Sequence, residues 1–290
     1  MIVSASYRTD IPAFHNAWFR QRLIAGGAWV KNPYGSKPYR VSLASDDVDG
    51  FVFWTRNPAP FAESLRQVEA MAVPYVVQYT VTGYPKALET GVPPPAHAAL
   101  QLQVLTNRCG RSAGIWRYDP VLYTSLTPPE WHRANFTRLA VMLSPFVDEV
   151  CVSFATIYRK TARNLTAAAV EHGFTWWDPP DAERKAAVLA LAEIAADQGL
   201  RLTVCSQPEL TGSGVAAAAC IDVERLSRVA GRSIGAKVKG NRPGCLCAES
   251  RDIGAYDTCA HGCRYCYAVA DHAKAQRNVQ RQKPEASLLG

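Results

Sequence analysis

No apolar run in these 290 residues approaches the roughly 18 needed to span a bilayer. The opening MIVSASYRTDIPAF lacks the basic start, apolar stretch and small-residue cleavage site of a secretory leader. The expected setting is therefore the cytoplasm, with no membrane association. Internal repeats and low-complexity tracts are missing too, so the chain does not read as a repeat array or a linker. No phosphate-cradling Gly loop and no Ser nucleophile elbow stands where the strand pattern would require one. His15, His97, His132, His172 and His272 show no metal-ligand spacing with one another, so core or surface roles are expected for each.

What is present suits a folded enzyme-sized unit. At 48% apolar and 20% charged residues, the chain can bury one large core or two small ones. Of the net charge of +7, +6 falls between Glu224 and the C-terminus, where twelve Lys and Arg face six Asp and Glu. Such a basic end could attract a phosphate-bearing substrate or nucleic acid, or simply offset clustered thiolates. Nine cysteines in a reducing compartment are not expected as disulfides, which turns attention to metal. Five of them, Cys245, Cys247, Cys259, Cys263 and Cys266, lie in one short segment, while Cys109, Cys151, Cys205 and Cys220 are scattered upstream.

Short β-branched and aromatic runs at Ile2–Ser6, Phe51–Thr55, Tyr75–Val81, Gly114–Tyr118, Glu149–Phe154 and Leu200–Ser206 alternate with amphipathic helical segments. The helical segments are Ala13–Ala25, Ala59–Ala72, His97–Arg108, Pro129–Leu143, Ala162–His172 and Asp181–Gln198, with Asp181 and Asp222 as candidate N-caps and Gly173 as a stop. Six or more βα units imply an α/β fold whose parallel strands form a partial or closed TIM-like barrel, with functional residues at the C-terminal strand ends. Polar groups recur there: Arg8, Thr9 and Asp10; Thr55, Arg56 and Asn57; Gln78 and Thr80; Arg117 and Asp119; Ser153; Cys205 and Gln207. Any single one reads equally as a turn or cap residue, and it is the recurrence that points to a site. The barrel is expected over residues 1–230. Residues 231–290 are expected as a cysteine-rich tail with a loop and a last helix, Tyr267–Gln280, at the barrel mouth.

In DTCAHGCRYCYA the cysteines fall as C-x3-C-x2-C, with Tyr265 just before the third. Thiolates this close on a loop can wrap one iron–sulfur cube, and three of them leave one iron free. Zinc competes, since it prefers four N or S ligands and His261 stands in the same loop. Iron–sulfur is favoured because a βα repeat is not a zinc-ribbon context. The spacing and the aromatic residue resemble the signature of the radical S-adenosylmethionine (SAM) superfamily. The resemblance implies a [4Fe–4S] cluster on Cys259, Cys263 and Cys266, SAM bound at the free iron, reductive cleavage to a 5′-deoxyadenosyl radical, and an electron donor such as flavodoxin or ferredoxin.

Almost the whole chain resembles a bacterial family of unknown function with such a cysteine cluster at its C-terminus. The resemblance rests on SASYRTDIPAF, VDGFVFWTRNPAP, QYTVTGY, WRYDPVLY, VSFATIY and CLCAESRDIGAYDTCAHGCRYCYA. The usual order puts the cluster loop after the first barrel strand. Here it comes last, so the resemblance implies a circular permutation, with Asp252–Tyr256 as a short strand leading into the loop. The Gly-Gly-Glu stretch that commonly meets the SAM amino group is missing. Ser4, Ser6 or Thr9 are the expected substitutes, with Arg117, Asp119 and Tyr265 as further cofactor contacts.

Cys205, Cys220, Cys245 and Cys247 suggest a second site, either an auxiliary [4Fe–4S] cluster or zinc, because four thiolates close a coordination shell. Cys109 and Cys151 read as unligated, the latter inside an apolar strand. Trp176-Trp177-Asp178-Pro179-Pro180 reads as an aromatic lid or a hydrophobic corner. Two functions compete: a radical SAM enzyme, and a non-enzymatic iron–sulfur or zinc module with a basic nucleic-acid-binding face.

Overall fold

The computed structural model describes residues 1–32, 35 and 37–290. Strand β1 (Ile2–Ala5) leads into two short helices, α1 (Ile11–Phe14) and α2 (Asn16–Ile24), where periodicity suggested one. The break falls at His15, which leaves helical backbone and puts its Nε2 2.7 Å from the Thr258 carbonyl oxygen. A hairpin of β2 (Gly27–Val30) and β3 (Tyr39–Ser42) follows. The chain then alternates through β4 (Gly50–Thr55), α3 (Ala62–Ala70), β5 (Tyr75–Thr80), α4 (Pro95–Cys109) and β6 (Gly114–Val121). It continues through β7 (Tyr123–Thr124), α5 (Pro129–Leu143), β8 (Glu149–Phe154), α6 (Arg159–His172), β9 (Trp176–Trp177), α7 (Asp181–Asp197) and β10 (Arg201–Val204). The last elements are β11 (Ala216–Ala217), α8 (Val223–Ala230), β12 (Ser250–Asp252) and α9 (His272–Arg281). No helix among the described residues is long and apolar enough to cross a membrane.

Local chemistry sets these boundaries. The Asp222 carboxylate accepts from the backbone N–H groups of Glu224 and Arg225 at the start of α8, as an N-cap does. Asp181 instead occupies the first turn of α7, where its charge suits the helix dipole. Gly173 ends α6 in the left-handed conformation at φ +67°. Trp176 and Trp177 form β9 against β7, so this aromatic pair builds a corner of the fold.

Eight strands form one parallel sheet in the order β11-β10-β8-β6-β5-β4-β1-β12. Apart from β12, the chain adds strands in a single direction, and crossovers of one hand then place the connecting helices on one face. Among the described residues the ladder does not close: β11 and β12 are its edges.

Alternation along each strand explains both faces. Val3, Phe51, Phe53, Val77, Trp116, Val150 and Val152 meet the helices in the main core, with Phe19, Phe61 and Phe136. The intervening residues Ile2, Val52, Val76, Ile115 and Cys151 form a second buried layer, covered by Ile221 and Leu226 around α8. Burial on both faces is why these strands read as near-continuous apolar runs. Moving towards the C-terminal end, the second face becomes polar, through Ser4, Gln78, Arg117 and Ser153, all buried.

Candidate metal centres at the C-terminal end of the sheet

Strand β12 pairs with β1 in the register Ile2 with Ser250, Val3 with Arg251 and Ser4 with Asp252. The register delivers the Asp252 carboxylate to the end of β1. It accepts from Ser4 Oγ (2.6 Å), Ser6 Oγ (2.8 Å), the Tyr7 backbone N–H (3.1 Å), Arg8 Nε (2.9 Å) and the Gly254 backbone N–H (2.9 Å). A Cβ at position 254 would lie 2.0 Å from Ser6 Oγ, so only glycine lets the chain pass here. The segment leading to the cysteine loop is thereby fastened to β1.

The loop itself is fastened at several points. His261 Nε2 lies 2.8 Å from Asp10 Oδ2, which also accepts from the Arg56 backbone N–H at 2.8 Å. The Gly91 N–H donates to the His261 carbonyl (2.8 Å) and the Arg264 N–H to the Leu88 carbonyl (2.9 Å), while Gly262 takes φ +71° just before Cys263. The Tyr265 hydroxyl donates to Glu89 and accepts from Arg56 Nη2 (2.7 Å). Glu89 Oε1 also accepts from Arg56 Nη1 (2.7 Å) and Thr82 Oγ1 (2.6 Å), so its charge is paired with Arg56.

On this frame Cys259, Cys263 and Cys266 lie within electrostatic range of one another. Burial pushes all three thiols up. Burial alone would lower Arg56, but Cys263, Glu89, Tyr265 and Cys266 together hold its guanidinium well above the ordinary range. The loop carries three sulfurs, Cys263 buried and Cys259 and Cys266 half-buried, with a fixed cation beside two of them. His261 has one ring nitrogen on Asp10 and the other 3.4 Å from the Gly91 carbonyl oxygen.

The other expected cofactor contacts differ in what they already touch. Ser4 and Ser6 are both engaged by Asp252. Tyr265 has its hydroxyl in the Arg56–Glu89 network, which makes it an anchor of the loop. Thr9 is buried, and its Oγ1 has no hydrogen-bond partner in the protein. It stands close to Gly254, on the approach to the loop. Arg117 pairs with Asp119, which also accepts from Ser153, and Arg117 Nη1 reaches Gln78 Oε1 (3.1 Å) and Cys220 Sγ (2.9 Å). These two residues therefore face the second group of thiols.

That second group is larger than the sequence suggested. Cys205 Sγ and Cys220 Sγ are 3.4 Å apart. Cys220 also contacts Cys247, and Cys247 contacts Cys245. Cys151, read from sequence as unligated inside an apolar strand, lies beside both Cys205 and Cys220. Cys109 stays apart, its thiol 3.2 Å from the Tyr75 hydroxyl. Among the described residues, no three or more His, Cys, Asp and Glu side chains are gathered to hold a single metal ion as they stand. Part of the basic tail is neutralised locally, since Lys237 and Lys239 both pair with Glu249.

Sequence reasoning noted Asp10 and Arg56 only as strand-end polar residues and passed over Glu89 and Asp252. No local pattern marks those two carboxylates, and only the tertiary fold gives them partners.

An α/β protein with one large parallel sheet and two cysteine groups at the C-terminal end of that sheet is the class these features define. A family model described as a domain of unknown function (DUF1848) matches residues 2–268. The chain belongs to that family. No curated protein and no solved structure matches it.

Proposed function

We propose that this chain is a radical SAM enzyme whose cluster loop has moved to the C-terminal end by circular permutation. One observation carries the reading: a C-x3-C-x2-C loop sets three thiols within electrostatic range of one another directly after a strand that lies parallel to β1. Three thiolates suit a cube with one open iron, whereas zinc asks for a fourth ligand. The motif's own histidine is engaged at both ring nitrogens. The order β12, loop, α9, with β1 as the neighbouring strand, is the order expected if a cut fell between the first and second strands of a radical SAM barrel.

With a [4Fe–4S] cluster on Cys259, Cys263 and Cys266 and SAM on the open iron, the chemistry supplied is reductive cleavage of the sulfonium to methionine and a 5′-deoxyadenosyl radical, the electron coming from a flavodoxin- or ferredoxin-type donor. The chain's own residues supply position and charge. Arg56 sets a fixed positive charge beside Cys263 and Cys266, favouring their thiolate forms. Asp10, through His261, and Glu89, through Tyr265, hold the loop in place. Thr9 offers a buried hydroxyl without a protein partner, suited to the amino or carboxylate group of SAM.

The reading is tested on anaerobically purified protein. Brown protein with broad visible absorbance that bleaches on reduction, and an electron paramagnetic resonance signal altered by SAM, is the expected result. Colourless, zinc-loaded protein contradicts it.

A further inference from the structure

We propose that Cys205, Cys220, Cys245 and Cys247 hold a second, fully ligated [4Fe–4S] cluster on the face of the sheet opposite the main core, with Cys151 beside it as a thiol that does not ligate. The four come from distant segments: the end of β10, the link between β11 and α8, and the loop before β12. Their contacts run as a chain, with Cys205 touching Cys220, Cys220 touching Cys247 and Cys247 touching Cys245.

Ordinary buried cysteines behave as small hydrophobes and need no donors. Here N–H groups point at the sulfurs. Arg117 Nη1 lies 2.9 Å from Cys220 Sγ, Arg242 Nη2 3.6 Å from Cys205 Sγ, and the Ile221 backbone N–H 3.4 Å from Cys247 Sγ. A neutral thiol is a weak acceptor, so a buried guanidinium aimed at one is poorly compensated, while thiolates ligating a cluster accept such bonds well. The remaining faces of Arg117 are closed by Gln78 and Asp119, which fixes its charge against the sulfurs.

Backbone position separates the four from the fifth. Cys205, Cys220, Cys245 and Cys247 lie outside the strands. Cys151 sits inside β8, in register with Arg117 on one side and Thr203 on the other, and is held by both ladders.

The site is tested independently of the SAM reading in the full-length C259A/C263A/C266A variant, purified anaerobically and reconstituted with iron and sulfide. The expected result is a folded protein that keeps about four iron and four sulfide per chain and shows a cluster signal on reduction. Cys151→Ala in that background should retain the iron, and Cys220→Ser should lose it. Circular dichroism on each variant separates loss of the site from loss of the fold. If Cys220→Ser does not fold, the Cys245→Ser variant, altered at the half-buried rim, provides the same test. A folded triple variant without iron overturns the proposal. So does a single zinc, a Cys205–Cys220 disulfide found by mass spectrometry, or iron that depends on Cys151.

Discussion

Replacing Asp252 with Ala tests how the C-terminal segment is fastened to the sheet. The Arg8–Asp252 pair is buried on both sides, with side chains 5% and 4% exposed and Nε 2.9 Å from Oδ1. Removing the carboxylate leaves the Arg8 guanidinium in the interior without its charge partner, and strips Ser4 and Ser6 of their acceptor. Breaking a buried pair from one side costs about 3–5 kcal/mol, because a desolvated charge is left uncompensated. For a chain of this size that corresponds to a fall in Tm of roughly 6–20 °C. The lesion lies at the β1–β12 seam, seven residues before Cys259, so iron retention should fall with stability. Asp252→Asn keeps the shape and some hydrogen bonds and should fall between wild type and Asp252→Ala. The assay is anaerobic thermal unfolding with iron analysis, using Glu63→Ala as a surface control because its pair with Arg66 is exposed. An Asp252→Ala protein that melts within about 2 °C of wild type and keeps its iron would refute the reasoning.

Two further outcomes follow from single side chains. Thr9→Val removes an unpartnered buried hydroxyl on the approach to the loop, and a lost hydrogen bond to a charged group should weaken SAM binding by about tenfold or more. Equilibrium titration with SAM checks this, with iron content and Tm held at wild-type values; unchanged affinity would remove Thr9 from the site. His132 is buried with Nδ1 2.8 Å from the Tyr118 hydroxyl and Nε2 3.0 Å from the Leu122 carbonyl oxygen, and burial lowers its pKa from 6.5 to about 4. Between those values the unfolded chain binds a proton that the folded chain refuses. The stability contributed by the neutral ring is thus complete above pH 6.5 and is lost as pH falls towards 4, by about 3 kcal/mol in all. Denaturant unfolding from pH 7 to 4 should show the wild-type advantage over His132→Gln shrinking across that window, and a constant difference would contradict the assignment.

The long elements were legible because their patterns are local. Glu149–Phe154 and Pro129–Leu143 match their expected bounds, since an apolar run or a 3.6-residue period suffices to define each. Strand β11 was not legible in the same way, and β12, expected from the resemblance at Asp252–Tyr256, forms instead at Ser250–Asp252. Two alanines, and a Ser-Arg-Asp stretch, carry no apolar alternation, and each becomes a strand through its neighbour's hydrogen bonds. The same distinction divides the site. C-x3-C-x2-C is a sequence pattern, but the carboxylates that brace it, Glu89 and Asp252, are brought in from other parts of the fold. Cys151 was read as unligated, but its place beside the other thiols was not drawn from the strand pattern. Alternation in β8 sends Val150 and Val152 to the helices and therefore Cys151 to the opposite face, beside Arg117.

The central claim is that Cys259, Cys263 and Cys266 hold a cluster that cleaves SAM, and product analysis tests it most directly. Reconstituted protein is incubated anaerobically with SAM and a strong reductant, and 5′-deoxyadenosine is measured by liquid chromatography and mass spectrometry. The account predicts 5′-deoxyadenosine from the wild-type chain and none from the C259A/C263A/C266A variant. No 5′-deoxyadenosine from wild-type protein with a full iron complement, or equal yields from both proteins, would contradict it.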